Sequence, residues 1–275
     1  MPTSTTAAPL TVRLDFDPAR DGFSFRNTFT WTDADLASLG GAVRTLALAL
    51  FALAGGIGGL VAGRKRAGLA GAAAGALAGR VGGSEAVVRG IAQKWPTFGL
   101  CGGMALTAIE RWPHRPGTLA TSELTPGPMR ALLRKRQERT LRASLPRFAG
   151  WWLRARAARD PDGWAAIKGE LDRIAERLSS GHPALLGLVG DAPDPFALHQ
   201  VVAFGIDRRG PLDATVEVYD PNAPGQTRTV TVAPSEQPGR AVVTTSLPTG
   251  RRPDGRCHIS TCAGRLAHVF VIDMP

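Results

Sequence analysis

The stretch "LHQVVAFGIDRRGPLDATVEVYD", residues 198–220, decides the fold that the sequence predicts. Apolar residues alternate with other residues on both sides of "RRGPL", and the glycine and proline of that segment favour a turn. The pattern therefore predicts two antiparallel strands, 198–207 and 214–220, joined as a hairpin.

The register of this predicted hairpin brings two polar side chains together at one end of a sheet. With the turn centred near Arg209 and Gly210, residues whose numbers add up to about 419 face each other. His199 then lies opposite Asp220, and Asn222 is the fallback partner. A carboxylate beside a histidine orients the ring and stabilises its protonated form.

Other segments predict a mixed chain of strands and helices around the hairpin. "FSFRNTF" (23–29) alternates as a strand, with Phe23, Phe25 and Phe29 as candidate buried anchors. Further strands are predicted at 184–190, 241–247 and 265–274. Helices are predicted from about Cys101, over 126–145, and over 161–181, where Gly181 occupies the C-terminal cap position.

Residues 40–90 differ in composition from the rest of the chain. Segments 45–63 and 67–79 carry no charge, and a small residue recurs at every fourth position from 55 to 79. Such a face lets another backbone approach closely, so a packed glycine-rich helical insertion and membrane contact through 45–79 both stay open. A spanning hairpin would carry the charged residues 64–66 across the bilayer, which favours a packed or membrane-surface element.

The overall charge does not predict a nucleic-acid partner. The net charge is +10, nearly all from arginine, as expected of a GC-rich genome, and Tyr219 is the only tyrosine available to interleave with the charges. Residues 1–10 are small and polar, so they are predicted to be disordered and lack the features of a signal peptide. The chain is expected in the cytoplasm at synthesis; membrane association and export by a non-Sec route stay open.

Cys101 lies in "FGLCGGMALTAIERW" (98–112), among glycines and ahead of a helical pattern. Alone it fits a buried small residue, a metal ligand or a nucleophile. A helix N-terminus favours the thiolate, and glycines 99, 102 and 103 permit a sharp turn and close approach of a substrate backbone. With His199 and Asp220 following in chain order, the nucleophile is the favoured interpretation.

The motifs "FGLCGGMA", "HQVVAFG" and "VYDPN" resemble those around the cysteine, the histidine and the third member of papain-like cysteine peptidases. They are most similar to bacteriocin-processing peptidase domains, in which the third member is an Asp followed by Pro. Together with "DFDPARDGFSFRNTF" and the Arg–Gln pair at 136–137, these three motifs resemble a group of uncharacterised bacterial papain-like proteins. The resemblance covers about residues 14–30 and 95–222.

This resemblance implies a papain-like α+β fold, with an N-terminal helical part that carries the nucleophile helix and a C-terminal antiparallel sheet. It implies a single domain over 11–275, with the helical insertion at 40–90. The implied roles are nucleophile for Cys101, general base for His199 and orienter for Asp220, with no cofactor.

The chain departs from the family at the oxyanion hole, the set of donors that stabilises the negative oxygen formed during acyl transfer. The family carries a Gln six residues before the cysteine, where this chain has Trp95. Gln93, Gly102 and Asn222 are the candidate oxyanion or supporting residues. Losing one donor costs on the order of a hundredfold in rate, so the departure bears on catalytic competence.

Other histidines and cysteines are weaker candidates. His268, in the last predicted strand, would replace His199 only if that strand faced Cys101. Cys257, His258 and Cys262 suggest zinc, but no second ligand cluster completes a site, so free thiols rank first, then a disulfide, then a metal.

The leading hypothesis is a cysteine hydrolase that cleaves or transfers a peptide or amide acyl group, with a peptide or protein substrate. Peptidase, deamidase and transferase reactions use the same three residues and stay open. Two alternatives are a catalytically weak or inactive scaffold that binds a peptide or protein partner, and the hydrolase payload of a membrane-interacting toxin or effector.

Overall fold

The computed structural model describes residues 9–37, 89, 92–93, 97–114, 120–156, 163–190, 198–236, 241–247 and 264–274. Its helices are α1 (Pro18–Asp21), α2 (Cys101–Arg111), α3 (Pro126–Arg156) and α4 (Gly163–Ser179). Its strands are β1 (Leu10–Arg13), β2 (Phe29–Thr30), β3 (Thr97–Phe98), β4 (Ala184–Gly190), β5 (Leu198–Gly210), β6 (Asp213–Tyr219), β7 (Thr227–Pro234), β8 (Ala241–Thr245) and β9 (Arg265–Val271).

Strands β4 to β9 close into a six-stranded antiparallel barrel. Their order is β5–β4–β9–β8–β7–β6, and β6 pairs back onto β5. Strand β5 makes this closure possible because it is 13 residues long and pairs along both edges. On one edge it pairs first with β4 and then with β1, while β6 occupies the other edge. Closure leaves these strands no free edge within the barrel.

The predicted papain-like α+β fold, with an N-terminal helical part and a C-terminal antiparallel sheet, is therefore wrong. The sequence pattern indicated the strands at 184–190, 198–207, 214–220, 241–247 and 265–274 but not β7. In β7 Val230 and Val232 are buried, and the strand pairs with β6 on one side and β8 on the other. Since β7 supplies the missing connection, its omission left the expected sheet open.

Helix α4 contributes one face to the main hydrophobic core. Ile167, Leu171, Ile174 and Leu178 recur at helical spacing and join a buried cluster with the inward-facing residues of the barrel strands. Burial of each such side chain contributes about 1.5–3 kcal/mol relative to exposure. The helix ends at Ser179, and Gly181, at the predicted cap position, has a φ of 79° and donates its N–H to the Leu178 carbonyl at 2.9 Å.

The segment after β1 packs against β5 and β6. Phe16 stacks on Phe204 with ring centroids 5.3 Å apart, and Phe23 is fully buried. The backbone N–H of Phe23 donates to the Tyr219 hydroxyl at 2.9 Å, while a Cβ on Gly22 would lie 2.5 Å from the Tyr219 ring. The predicted strand 23–29 is therefore wrong for most of its length, since of these residues only Phe29 belongs to a strand, β2.

The chain divides into two compact units. The first comprises Met1–Asn27, Leu100–Ser144 and Gly150–Pro275, and the second comprises Thr28–Gly99 and Leu145–Ala149. In the second unit β2 pairs with β3, and Phe98 stacks on Trp31 with centroids 4.1 Å apart.

The predicted glycine-rich insertion at 40–90 lies outside the described residues except for Arg89, so the contact expected through 45–79 stays a prediction. Of the helices in the described ranges, none combines the length and the apolar character that crossing a bilayer requires.

We predict that Val232→Ala lowers the free energy of unfolding by about 2 kcal/mol, because it removes two buried methyl groups and leaves a cavity where β7 closes the barrel. Val232 is fully buried. Urea denaturation measures the loss, and Thr227→Ala, at an exposed position of the same strand, is the control. Equal stability of the two variants would show that β7 is not packed in the core.

Candidate active site

The predicted pair of His199 and Asp220 is present, although the hairpin register differs from the predicted one. The turn lies at residues 211–212 rather than at 209–210, and two register shifts follow in β5. Ala203 therefore pairs with Val218, two residues away from the predicted register. Because a slip of two residues preserves the face of each side chain, the imidazole and the carboxylate still meet.

His199 and Asp220 form a buried hydrogen-bonded ion pair. His199 Nε2 lies 2.7 Å from Asp220 Oδ1, and the two residues are 3% and 0% exposed. Asp220 Oδ1 also accepts the backbone N–H of Asn222 at 2.8 Å, and Asp220 Oδ2 has no hydrogen-bond partner among the described residues. The imidazolium is thus the main compensation for the buried carboxylate charge.

The thiol of Cys101 contacts the same imidazole. Cys101 is the first residue of α2, is 8% exposed, and lies near enough to His199 that its sulfur raises the pKa of the ring. Since Nε2 of His199 is occupied by Asp220, Nδ1 is the ring nitrogen left for the thiol. The three residues that the sequence singled out therefore form one chain of contacts, from sulfur to imidazole to carboxylate.

The charge state of His199 follows from two opposing effects. Burial lowers the pKa of the ring, but the Asp220 carboxylate and the Cys101 sulfur outweigh burial and raise the pKa to about 10. A ring that is protonated at neutral pH stabilises an adjacent thiolate, which is the nucleophilic form of cysteine.

Residues on α3 hold the first turn of α2 in place. Gln137 is buried, and its Oε1 accepts the backbone N–H of Gly103 at 3.0 Å, one of the N–H groups that a helix start leaves unpaired. A buried chain of hydrogen bonds continues from Gln137 through Thr140 and Ser144 to Gln200, next to His199. It ties α2, which carries Cys101, to β5, which carries His199.

The glycines after Cys101 are required by this packing. A Cβ on Gly102 would overlap with Gln200 Oε1 and Thr140 Oγ1, and a Cβ on Gly103 would overlap with the Leu133 carbonyl. Gly102 thus lets α2, α3 and β5 approach closely. Gln137 belongs to the Arg–Gln pair of the papain-like resemblance, but the sequence pattern did not predict that it binds the start of α2.

The remaining candidate residues take different positions. Asn222 supports Asp220 through its backbone N–H, and its Nδ2 lies 3.4 Å from His199 Nε2. Gln93 is exposed and belongs to the second unit, while Trp95 lies outside the described residues. His268 is buried in β9 and stacks on Trp151 with ring centroids 3.6 Å apart. Of the two histidines, His199 is the one whose pKa the Cys101 sulfur raises.

The cysteine and histidine cluster near the C-terminus, Cys257, His258 and Cys262, lies outside the described residues. In the described ranges, no three His, Cys, Asp or Glu residues gather as metal ligands.

We expect the His199 ring to be protonated at pH 7–8, because its pKa is raised to about 10. In Asp220→Asn the carboxylate that raises the pKa of His199 is gone, while burial still lowers that pKa. The ring should therefore be neutral over the same pH range. Nitrogen-15 NMR of the imidazole, assigned with His199→Gln, measures the titration. Cys101→Ala is the matched control, since Asp220 remains to hold the pKa above its ordinary value. A neutral ring in the wild type at pH 7 would contradict the ion pair.

We also predict that Gln137→Leu lowers the free energy of unfolding by about 1–3 kcal/mol, because the Gly103 N–H loses its acceptor in a buried position. Gln137→Glu keeps an acceptor and places a negative charge near the helix N-terminus, so it should recover most of that loss. Thermal and urea denaturation of both variants test the cap, and equal losses in the two would argue against it.

No family model, no curated protein and no solved structure matches this chain.

Proposed function

We propose that the protein is a cysteine hydrolase that cleaves a peptide or amide bond by acyl transfer to Cys101. The observation that carries the proposal is that His199 lies between the Cys101 thiol and the Asp220 carboxylate, within one buried site. Both neighbours of the ring serve the proposed reaction. The carboxylate orients the ring and stabilises its protonated form, and the ring accepts the proton of the thiol.

The proposed acylation step uses this arrangement directly. The Cys101 thiolate adds to the substrate carbonyl carbon, a C–S bond forms, and the π electron pair moves to the carbonyl oxygen. As this intermediate collapses, the C–N bond breaks and the His199 imidazolium donates its proton to the leaving amine. Asp220 keeps the ring oriented throughout because its Oδ1 remains bonded to Nε2.

Deacylation reverses the proton path. His199, now neutral, takes a proton from water as the water oxygen adds to the thioester carbon. The C–S bond then breaks, the acid product leaves, and the sulfur returns as thiolate beside the imidazolium. No step requires an oxidant, a reductant or a further co-reactant.

The position of Cys101 supports a nucleophilic role over simple burial. A buried cysteine that only fills space needs no charged neighbours, whereas this thiol lies beside a ring charged by Asp220 and at the positive end of an 11-residue helix. Leu100, at the cap position of that helix, offers no side chain to satisfy its N–H groups. Positive electrostatic potential is thus directed toward the sulfur.

We expect iodoacetamide at pH 6 to label Cys101 on the order of tenfold or more faster than a free thiol, because the positive charge of the neighbouring His199 ring stabilises negative charge on the attacking sulfur. The label should be absent in Cys101→Ala and slow in His199→Ala. Peptide mass spectrometry measures labelling at all three cysteines of the same chain, so Cys257 and Cys262 serve as internal references. Equal slow labelling at every cysteine would instead support a non-catalytic, partner-binding scaffold.

The substrate bond is tested by incubating purified protein with a peptide library and detecting new amino termini. Cleavage that depends on Cys101 and falls by about 100-fold or more in His199→Ala would support hydrolysis of peptide bonds with general base catalysis. Release of ammonia without new termini would instead assign the same residues to amide side chains.

A further inference from the structure

We propose that the side-chain amide of Asn27 supplies the oxyanion hole, donating from Nδ2 together with the backbone N–H of Cys101. This inference rests on the proposed function and assigns a donor in place of the Gln that position 95 lacks. The geometry that carries it is the attachment of Asn27 to the residues flanking both Cys101 and Asp220.

Asn27 is fixed from two directions. Its own backbone N–H donates to the carbonyl of Pro221 at 3.0 Å, directly after Asp220. Its Oδ1 accepts the backbone N–H of Leu100, directly before Cys101. Because an N–H group cannot bond to the amide nitrogen, this contact assigns the orientation of the Asn27 amide and defines which atom is Nδ2.

The amide nitrogen is left with a donor to offer. Asn27 is 7% exposed, and its Nδ2 makes no hydrogen bond among the described residues. Because Nδ2 is not one of the buried atoms that lack a partner, it is accessible to solvent and can donate to a substrate oxygen. Since Oδ1 and Nδ2 share one carbon atom, Nδ2 must lie near the backbone N–H of Leu100, one residue before Cys101.

The second donor is the backbone N–H of Cys101. As the first residue of α2 it has no partner inside the helix, and no other acceptor contacts it in the described part of the chain. By contrast, the N–H of Gly103 is used by Gln137 and that of Leu100 by Asn27. The proposed oxyanion hole uses these two donors, one on Cys101 itself and one on the side chain bonded to the preceding residue.

The local sequence explains why Asn27 can hold this position. The Tyr219 hydroxyl accepts the Phe23 N–H at 2.9 Å, and Asn27 then bonds to Pro221, so the segment runs beside the residues that lead into Asp220. Donors on such fixed backbone need little reorganisation when charge develops.

The experiment compares two reactions of Cys101 that differ in the need for an oxyanion. Acylation by p-nitrophenyl acetate forms a negative oxygen, whereas alkylation by iodoacetamide displaces iodide and forms none. We expect Asn27→Ala to slow acylation about 100-fold or more while alkylation stays within about threefold of the wild-type rate.

Asn27→Asp is the matched variant, because it keeps the size of the side chain and an acceptor for the Leu100 N–H, while a carboxylate oxygen that bears negative charge replaces the donor. It should slow acylation about as much as Asn27→Ala. Thr28→Ala, at the exposed neighbouring position, should leave both reactions at the wild-type rate and controls for disturbance of the segment.

Two results would overturn the inference, and they are distinguishable. If Asn27→Asp acylates at the wild-type rate, or if both reactions fall together in Asn27→Ala and Asn27→Asp, Asn27 only positions the backbone before Cys101. If wild-type Cys101 is alkylated no faster than a free thiol, the proposed hydrolase function itself fails, and the oxyanion role fails with it.

Discussion

The pairing of β5 along both of its edges determines where Cys101, His199 and Asp220 lie. Strand β5 carries His199 near its start, pairs with β4 on one side, and pairs with β6 on the other. Strand β6 ends at Tyr219, so Asp220 follows at the end of the barrel where β5 begins. Helix α2 packs against β5 and presents Cys101 to the same end. The barrel thus supplies a rigid support, and the chemistry depends on how its strands end.

The buried charges at this end stabilise one another and raise the cost of changing any one of them. Asp220 is fully buried, and one of its oxygens is bonded to the ring while the other has no partner in the described part of the chain. A neutral ring would leave this carboxylate with little compensation, which is why the pKa of His199 is raised despite burial. The ion pair is therefore both a structural requirement of the barrel end and the source of the base that the proposed reaction uses.

The sequence predicted the contact of His199 with Asp220 better than it predicted the fold, for a physical reason. The pairing of His199 with Asp220 depends on strand periodicity, and a register error of two residues leaves every side chain on its face. Barrel closure depends on a single further strand, β7, whose short run "TRTVTVAP" lies between turn residues and alternates threonine with valine. Pairing of β6, β7 and β8 is a long-range property that the local pattern does not contain.

The contacts of Asn27 are likewise long-range contacts that the local sequence pattern does not predict. In "FSFRNTF" it falls at the alternate position shared by Phe23, Phe25 and Phe29, so a polar side chain on an otherwise apolar face was the available signal. Its partners, however, are backbone groups of Leu100 and Pro221, far away in sequence. No spacing rule predicts such contacts, since they depend on where the segment after β1 ends.

The pairing of β4 with β9 has a consequence for the time at which the site forms during synthesis. Strand β9 follows every residue of the triad in the chain, yet the barrel that positions His199 closes only when β9 joins β4 and β8. Contacts this distant in sequence form late, because the entropy of bringing the segments together must be overcome first. A nascent chain that already contains the sulfur, the ring and the carboxylate therefore lacks the scaffold that aligns them. The proposed reaction would therefore become possible only after β9 has left the ribosome.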